Sequence, residues 1–222
     1  MKYREEVVQL LPASISSISV QKKNTFRFSI FVEEQFLIGV SDSTLNKLNL
    51  SKGVLLTPSL LDEIVEKENN WAIREYFFRL LGRRDHTRNE LRDKAKKKDF
   101  HSESIEQILN EFTEKKYINN LSFARKFVRD KFEFNKWGAN KIRSELFKKG
   151  VSEKEITIAL QEIDSKDNIE TIKNLIKKNK RKFQRADSSK RKKKIFDFLL
   201  RKGYDLNTIL KRMPTLLAII EK

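Results

Sequence analysis

The side chains best equipped for chemistry in this sequence are its cations, and they fall into three groups. The densest is Arg181, Lys182, Arg185, Lys190, Arg191, Lys192, Lys193, Lys194, Arg201 and Lys202. A cationic surface of that density neutralises phosphates and releases their condensed counterions, so its chemistry is tight, salt-sensitive binding of a polyanion. Arg88, Arg92, Lys96, Lys97 and Lys98 form a second group, with Lys94 among them; Lys141, Arg143, Lys148 and Lys149 form a third, with Lys136 ahead of them. An arginine forks two hydrogen bonds to a phosphate or a carboxylate, which a lysine does not. The competing reading of each group is structural. Charge runs commonly make a solvated helix face, and arginines commonly close ion pairs or pack between units.

Other chemistries are poorly supplied. Cysteine is absent, which rules out a disulfide framework, a thiolate metal site and a Cys nucleophile. His86 and His101 stand alone at expected helix entrances and read as caps or surface groups. There is no Gly-x-x-x-x-Gly-Lys-Ser/Thr phosphate loop. Adjacent acids such as Asp62 and Glu63 point in different directions on a helix and so rarely share a metal. The sequence predicts no catalytic residue, no metal and no cofactor. Trp71, Tyr117, Phe123, Phe127 and Trp137 have rings that bases could stack on. They lie on apolar faces, however, where core packing is the ordinary role. Phe132 and Phe134, flanking an acid near Trp137, fit either role.

The charge is uneven. Over 222 residues the net charge is +17, yet residues 1–70 hold 8 Lys+Arg against 9 Asp+Glu, while residues 167–222 hold 17 against 6. A near-neutral front and a basic back point to a polyanion near the back half. No run of about 18 apolar residues occurs and no secretory leader is evident, so a cytoplasmic protein with no membrane contact is expected. A monomer is the default expectation.

The elements that must position these cations change character along the chain. Phe26, Phe28 and Ile30 alternate with Arg27, Ser29 and Phe31, the period of a half-buried strand. An apolar segment from Ile15 precedes them across a Lys22-Lys23-Asn24 turn, and Glu33-Glu34-Gln35 leads into a return strand from Phe36 to Val40. Short helices are expected at Thr44 to Leu48 and, behind Thr57-Pro58, at Ser59 to Lys67. Residues 1–70 thus read as a small β-rich module with short helices.

From Trp71 the spacing becomes helical and a threefold repeat emerges. With Asp99, Gly150 and Gly203 in register, at spacings of 51 and 53 residues, five apolar columns align. They are Leu91/Ile142/Ile195, Ala95/Leu146/Leu199, Phe100/Val151/Tyr204, Ile105/Ile156/Ile209 and Leu109/Leu160/Met213; Lys98, Lys149 and Lys202 precede the anchor each time. Each repeat reads as three helices, the middle one ending at the anchor in the left-handed conformation that Gly adopts freely and Asp less so. Thr87 with Glu90 and Ser152 with Glu155 have capping-box spacing, Asp205 is placed to cap, and Ser188-Ser189 is expected to cap the helix opened by the basic run. Leading helices are expected at Trp71 to Leu81, Leu121 to Phe134 and about Asn168 to Lys182. The expected architecture is mainly α: three tandem three-helix repeats (71–119, 120–165 and 166–222) in an elongated curved array behind the β module.

These residues resemble the RecX family. Gly138-Ala-Asn-Lys-Ile-Arg-Ser-Glu-Leu-Phe-Lys-Lys-Gly-Val151 is similar to the second-repeat signature, Thr87-Arg-Asn-Glu-Leu-Arg92 to a first-repeat element, and Tyr117-Ile-Asn-Asn-Leu-Ser-Phe-Ala124 to the segment linking them. Asn119 and Asn120 stand where the family usually has Asp, Asp99 replaces a Gly, and the third repeat lacks the Glu-Leu-Arg element. The resemblance implies a non-enzymatic regulator that binds the filament of the RecA recombinase on single-stranded DNA and inhibits ATP hydrolysis and strand exchange, a role in recombination and DNA repair. The alternative is a general DNA- or RNA-binding repeat protein with no recombinase partner.

Overall fold

The structure is a computed structural model that describes residues 3–162 and 165–221, with only the backbone of 165–168. By its contacts the chain divides into two compact units. Unit 1 comprises Met1–Arg84 and Leu91–Tyr117; unit 2 comprises Asp85–Glu90 and Ile118–Lys222.

In unit 1 the alternating residues form strands as the period requires. A short helix α1 (Glu5–Val8) precedes β1 (Ala13–Gln21), β2 (Asn24–Val32) and β3 (Gln35–Ser41). Helix α2 (Asp42–Lys47) and the two-residue β4 (Leu55–Leu56) follow, and the sheet order is β3-β2-β1-β4 with antiparallel neighbours. Glu33 and Glu34 turn β2 into β3 with φ of 47° and 64°, the positive pair that a tight primed turn needs. Ile15, Ile30, Val32, Leu37, Ile38 and Val40 pack with Leu61 and Ile64 of the next helix into one core.

That next helix, α3, corrects the sequence reading. A short helix at 59–67 and a separate one from Trp71 were expected, but α3 runs unbroken over Pro58–Leu81, capped by Thr57 with Pro58 in its first turn. The reason lies at Glu68, which is buried inside it. Its carboxylate accepts from Ser41 N (2.6 Å) and Ser41 Oγ (2.7 Å) and pairs with Arg27 at 3.1 Å. Arg27 also donates to Gly39 O at 2.8 Å and lies over the Trp71 ring at 4.9 Å. A polar residue that periodicity assigns to a solvated joint is instead the bolt between sheet and helix.

The repeats supply the remaining helices. They are α4 (Arg88–Lys96) and α5 (Ser102–Glu114), then α6 (Asn120–Glu133), α7 (Ala139–Lys148) and α8 (Glu153–Leu160), then α9 (Ser165–Lys178), α10 (Lys180–Gln184), α11 (Ser188–Lys202) and α12 (Leu206–Glu221). The third leading helix, expected as one, is broken at Asn179, which leaves helical geometry and donates Nδ2 to Leu175 O at 2.8 Å. The aligned apolar columns are core, except that Phe100 and Leu160 are half-buried. Leu91, Ala95 and Ile105 are wholly buried, as are Ile142, Leu146 and Ile156 and, in turn, Ile195, Leu199 and Ile209. The anchors adopt the expected left-handed conformation, with φ of 58° at Asp99, 75° at Gly150 and 88° at Gly203.

Within unit 2 each glycine anchor meets the start of another middle helix. Gly138 N donates to Lys202 O at 2.8 Å and Asn140 N to Gly203 O at 3.1 Å, so the opening turn of α7 satisfies the carbonyls that end α11. The same joint recurs at the end of α7, where Thr87 Oγ1 donates to Lys149 O at 2.7 Å. A Cβ on Gly203 would overlap the Lys141 backbone, and one on Gly150 would overlap the Asn89 side chain. These glycines are required twice, by φ and by a neighbouring helix.

Candidate nucleic-acid interface

The cations predicted to act together divide into those the protein uses on itself and those it displays. Arg92, at the repeated arginine column, pairs with Glu106 of α5 at 2.5 Å, which raises its pKa further. Arg143, its counterpart, pairs with Glu153 at the start of α8. Both are ion pairs between the middle and third helices of one repeat. Lys148 pairs with Glu145 at 2.9 Å, one turn back on α7. Lys149 is half-buried, 2.5 Å from Glu90, with its ammonium 5.9 Å from the centres of the Phe123 and Phe127 rings. Arg88 is half-buried in the opening turn of α4, its backbone N–H bonded to Asn120 Oδ1 at 3.2 Å.

Glu90 and Thr87 do more than the capping box predicted. Thr87 Oγ1 accepts Glu90 N at 3.1 Å, as that spacing requires. The Glu90 carboxylate, however, meets Lys149 and His86 Nδ1, the latter at 3.1 Å. His86, expected as a cap or surface group, is buried at 5% exposure beside the Glu90 carboxylate that Lys149 also meets. His101 does precede α5, without a side-chain capping bond. The box at Ser152 and Glu155 forms in full, and Asp205 Oδ2 accepts Thr208 N at 2.8 Å.

The displayed cations lie elsewhere. Lys96, Lys97 and Lys98 are exposed where α4 ends. Lys190, Lys192, Lys193 and Lys194 are exposed along the first two turns of α11, with Arg181, Lys182, Arg185 and Arg201 also exposed. Lys190 lies 3.4 Å from Asp187 on the surface. Arg191 turns inward, donating to Ala186 O at 3.0 Å and Gln184 O at 3.2 Å. The expected cap shifts by one residue: Ser188 is already helical and Asp187 holds the N-cap position, without a side-chain capping bond. Four lysines near a helix N-terminus oppose the macrodipole. Folding alone gains nothing from placing them there.

Lys141 and Lys202 are brought together. Lys202 donates to Asn135 O at 3.0 Å, and burial first, then the Lys141 charge, pulls its pKa below the usual lysine value. Lys141 lies over Trp137 at 4.4 Å. Beside Lys202, a groove of about 350 Å³ opens between the α6–α7 loop and α9, lined by Phe134, Lys136, Asn174, Lys178 and Phe198 among others. By sequence Phe134, which flanks an acid near Trp137, fits either a core or a stacking role. The helix stops at Glu133, however, and leaves the ring outside the core. Lys178 was missed, as it lies outside the dense run. The ring residues expected in the core are so placed in the main: Phe123 is buried, Phe127, Trp71 and Trp137 are half-buried, and Tyr117, 49% exposed, still packs edge-on against Phe78 and Phe112.

Among the described residues no cluster of His, Asp or Glu has the arrangement of a metal site, and no helix is long and apolar enough to cross a membrane. Fold and surface together define a tandem three-helix-repeat protein with a β-sheet front. The chain matches four family models in order: the regulatory protein RecX N-terminal domain over residues 13–57 and the first, second and third RecX three-helix domains over 74–112, 119–160 and 166–211. It is 31% identical over 204 residues to regulatory protein RecX of Clostridium perfringens, covering 90% of this chain and 95% of that one. Against the protein of the same name from Listeria monocytogenes the identity is 33% over 196 residues, covering 86% and 71%. A crystal structure of regulatory protein RecX superposes with a TM-score of 0.78 at 24% identity, over 91% of this chain and 99% of the other; RecX from Lactobacillus salivarius gives 0.60 at 23%, over 70% and 98%. The chain belongs to the RecX family.

Proposed function

We propose that this protein is a non-enzymatic cytoplasmic regulator that binds the RecA filament on single-stranded DNA and inhibits its ATPase and strand-exchange activity. Family membership along the whole repeat region carries the reading. The repeats support it in kind: a series of similar three-helix modules suits a partner that is itself a series of similar subunits. Lys192 to Lys194 of α11 and Lys96 to Lys98 at the α4 end support a polyanion within that partner, since their side chains are exposed and make no fold contact described above. Arg181, Lys182, Arg185, Arg201 and Lys192 to Lys194, with Lys96 to Lys98, are the proposed contacts. Arg92, Arg143, Lys148 and Lys149 close ion pairs with Glu106, Glu153, Glu145 and Glu90, and in this reading they contribute to the fold first and to the partner second.

DNA-dependent ATP hydrolysis by RecA tests the reading. The rate is expected to fall with the regulator present at well below one copy per RecA subunit. An unchanged rate at saturating protein overturns it. Steeply salt-dependent binding to bare nucleic acid, with no added affinity for the assembled filament, would support a general nucleic-acid binder instead.

A further inference from the structure

The groove of unit 2 has a composition that selects its occupant. One exposed ring is ordinary on a protein surface, but Phe134, 78% exposed, forms a wall of this groove. The loop that carries it is held still. Trp137 N donates to Lys131 O (3.0 Å), Lys202 Nζ to Asn135 O (3.0 Å) and Tyr204 Oη to Lys136 O (3.1 Å). Another lining ring, Phe198, is braced edge-on by buried Phe183 at 5.5 Å, with Lys182 over it at 5.8 Å. Lys136, Lys178 and Lys202 supply charge, and Asn135, Asn174 and Asn179 supply amides; no carboxylate lines the groove among the described residues.

We infer that this groove seats one nucleotide of a single strand, with the base against the phenylalanine rings and the adjoining phosphates on the lysines. The inference deepens the function proposed above and rests on it for the source of the strand. A nucleotide needs an aromatic face, in-plane donors and acceptors for the base edge, and cations for its phosphates. All three are present side by side. An apolar peptide side chain would use the rings and leave the amides and lysines idle. Charge points the same way, because Lys202 is desolvated beside Lys141 and an anion relieves both penalties. Volume also agrees, since ligand pockets begin at roughly 300 Å³.

The test uses the full chain, a fluorescein-labelled oligo-dT and an abasic strand of equal phosphate number, read by fluorescence anisotropy. Phe134→Ala, an exposed position whose thermal melt serves as the folding control, is expected to weaken oligo-dT binding roughly 5- to 150-fold, the loss that one base stack represents. Affinity for the abasic strand is expected to stay the same. The assignment is overturned if the wild type does not bind oligo-dT, if F134A binds it unchanged, or if both strands weaken alike. Unchanged oligo-dT affinity with weaker binding to RecA would identify a protein segment as the occupant, ending this inference but not the filament reading. A stacking difference on oligo-dT in a protein that leaves the RecA ATPase untouched would do the opposite.

Discussion

Helices α7 and α11 occupy the same place in successive repeats and handle their charges in opposite ways. On α7 and at its C-cap, Arg143 is tied to Glu153, Lys148 to Glu145 and Lys149 to Glu90, while Lys141 at the opening turn lies over Trp137. On α11 Lys192, Lys193 and Lys194 stand exposed. The joints at the two helix ends differ in the same sense. Glu90 and Lys141 share a column of the repeat, so Lys149 meets a carboxylate where Lys202 meets another lysine. Similar backbones thus carry two tasks, one joint closed by an ion pair and the other left positive. A high cation count is therefore a poor guide to a binding surface until the carboxylates have been placed.

The largest expected effects test the feature both helices share. Gly203→Ala should cost about 3–5 kcal/mol, because a left-handed alanine is strained and its Cβ meets the fixed Lys141 backbone. Gly150→Ala should cost less, about 2 kcal/mol, as only the Asn89 side chain has to move. Denaturant midpoints measure both, and equal losses would show that φ alone sets the requirement. The next effect separates the helices by charge. Lys149→Met should destabilise by about 1–3 kcal/mol, because the Glu90 carboxylate, 14% exposed, loses its cation while keeping its contact with His86, with little change in nucleic-acid affinity.

Changing Lys192, Lys193 and Lys194 together to Ser should do the reverse. Stability should move by under about 0.5 kcal/mol. The log–log slope of single-strand binding against salt should flatten by about 2, at about 0.7 per lost phosphate contact. An unaltered slope would remove α11 from the interface. Lys141→Glu converts the second joint to the chemistry of the first. The new pair with Lys202, worth about 0.2–1 kcal/mol, should roughly offset the lost contact with Trp137, while oligo-dT affinity falls.

The smallest effect depends on pH. Lys148 holds the Glu145 carboxyl below its ordinary value in the folded protein, so the pair's contribution is present at neutral pH and is lost as pH falls through and below the carboxylate range. The site is largely solvated, which limits the effect to a few tenths of a kcal/mol. Glu145→Gln should remove that part of the acid sensitivity in thermal melts compared between pH 7 and pH 3.

Much of the fold was legible because it rests on periodicity and backbone conformation. Period-two alternation located the strands, and the aligned columns located Leu91, Ile142 and Ile195 in the core. The left-handed anchors followed from Gly at two positions and Asp at the third. Long-range polar pairing was not legible. Nothing local tells Glu68 to enter the core beneath Ser41, or Glu90 to reach Lys149 across 59 residues. For the same reason the candidate surface was only half visible. Exposed lysines of the dense run were found by composition alone, but Arg92 and Arg143 needed their carboxylate partners to be seen. Phe134 needed the end of its helix.

Asp99 shares its backbone conformation with Gly150 and Gly203 but is exposed, and its side chain is tolerated. One position therefore works as a counter of modules: glycine wherever another repeat's helix is seated, a larger residue where the series starts. Lengthening the protein by duplication in front of the first repeat would demand Asp99→Gly before any new interface could close. Extension behind the third would instead seat its new anchor against the additional cationic turn that opens α11.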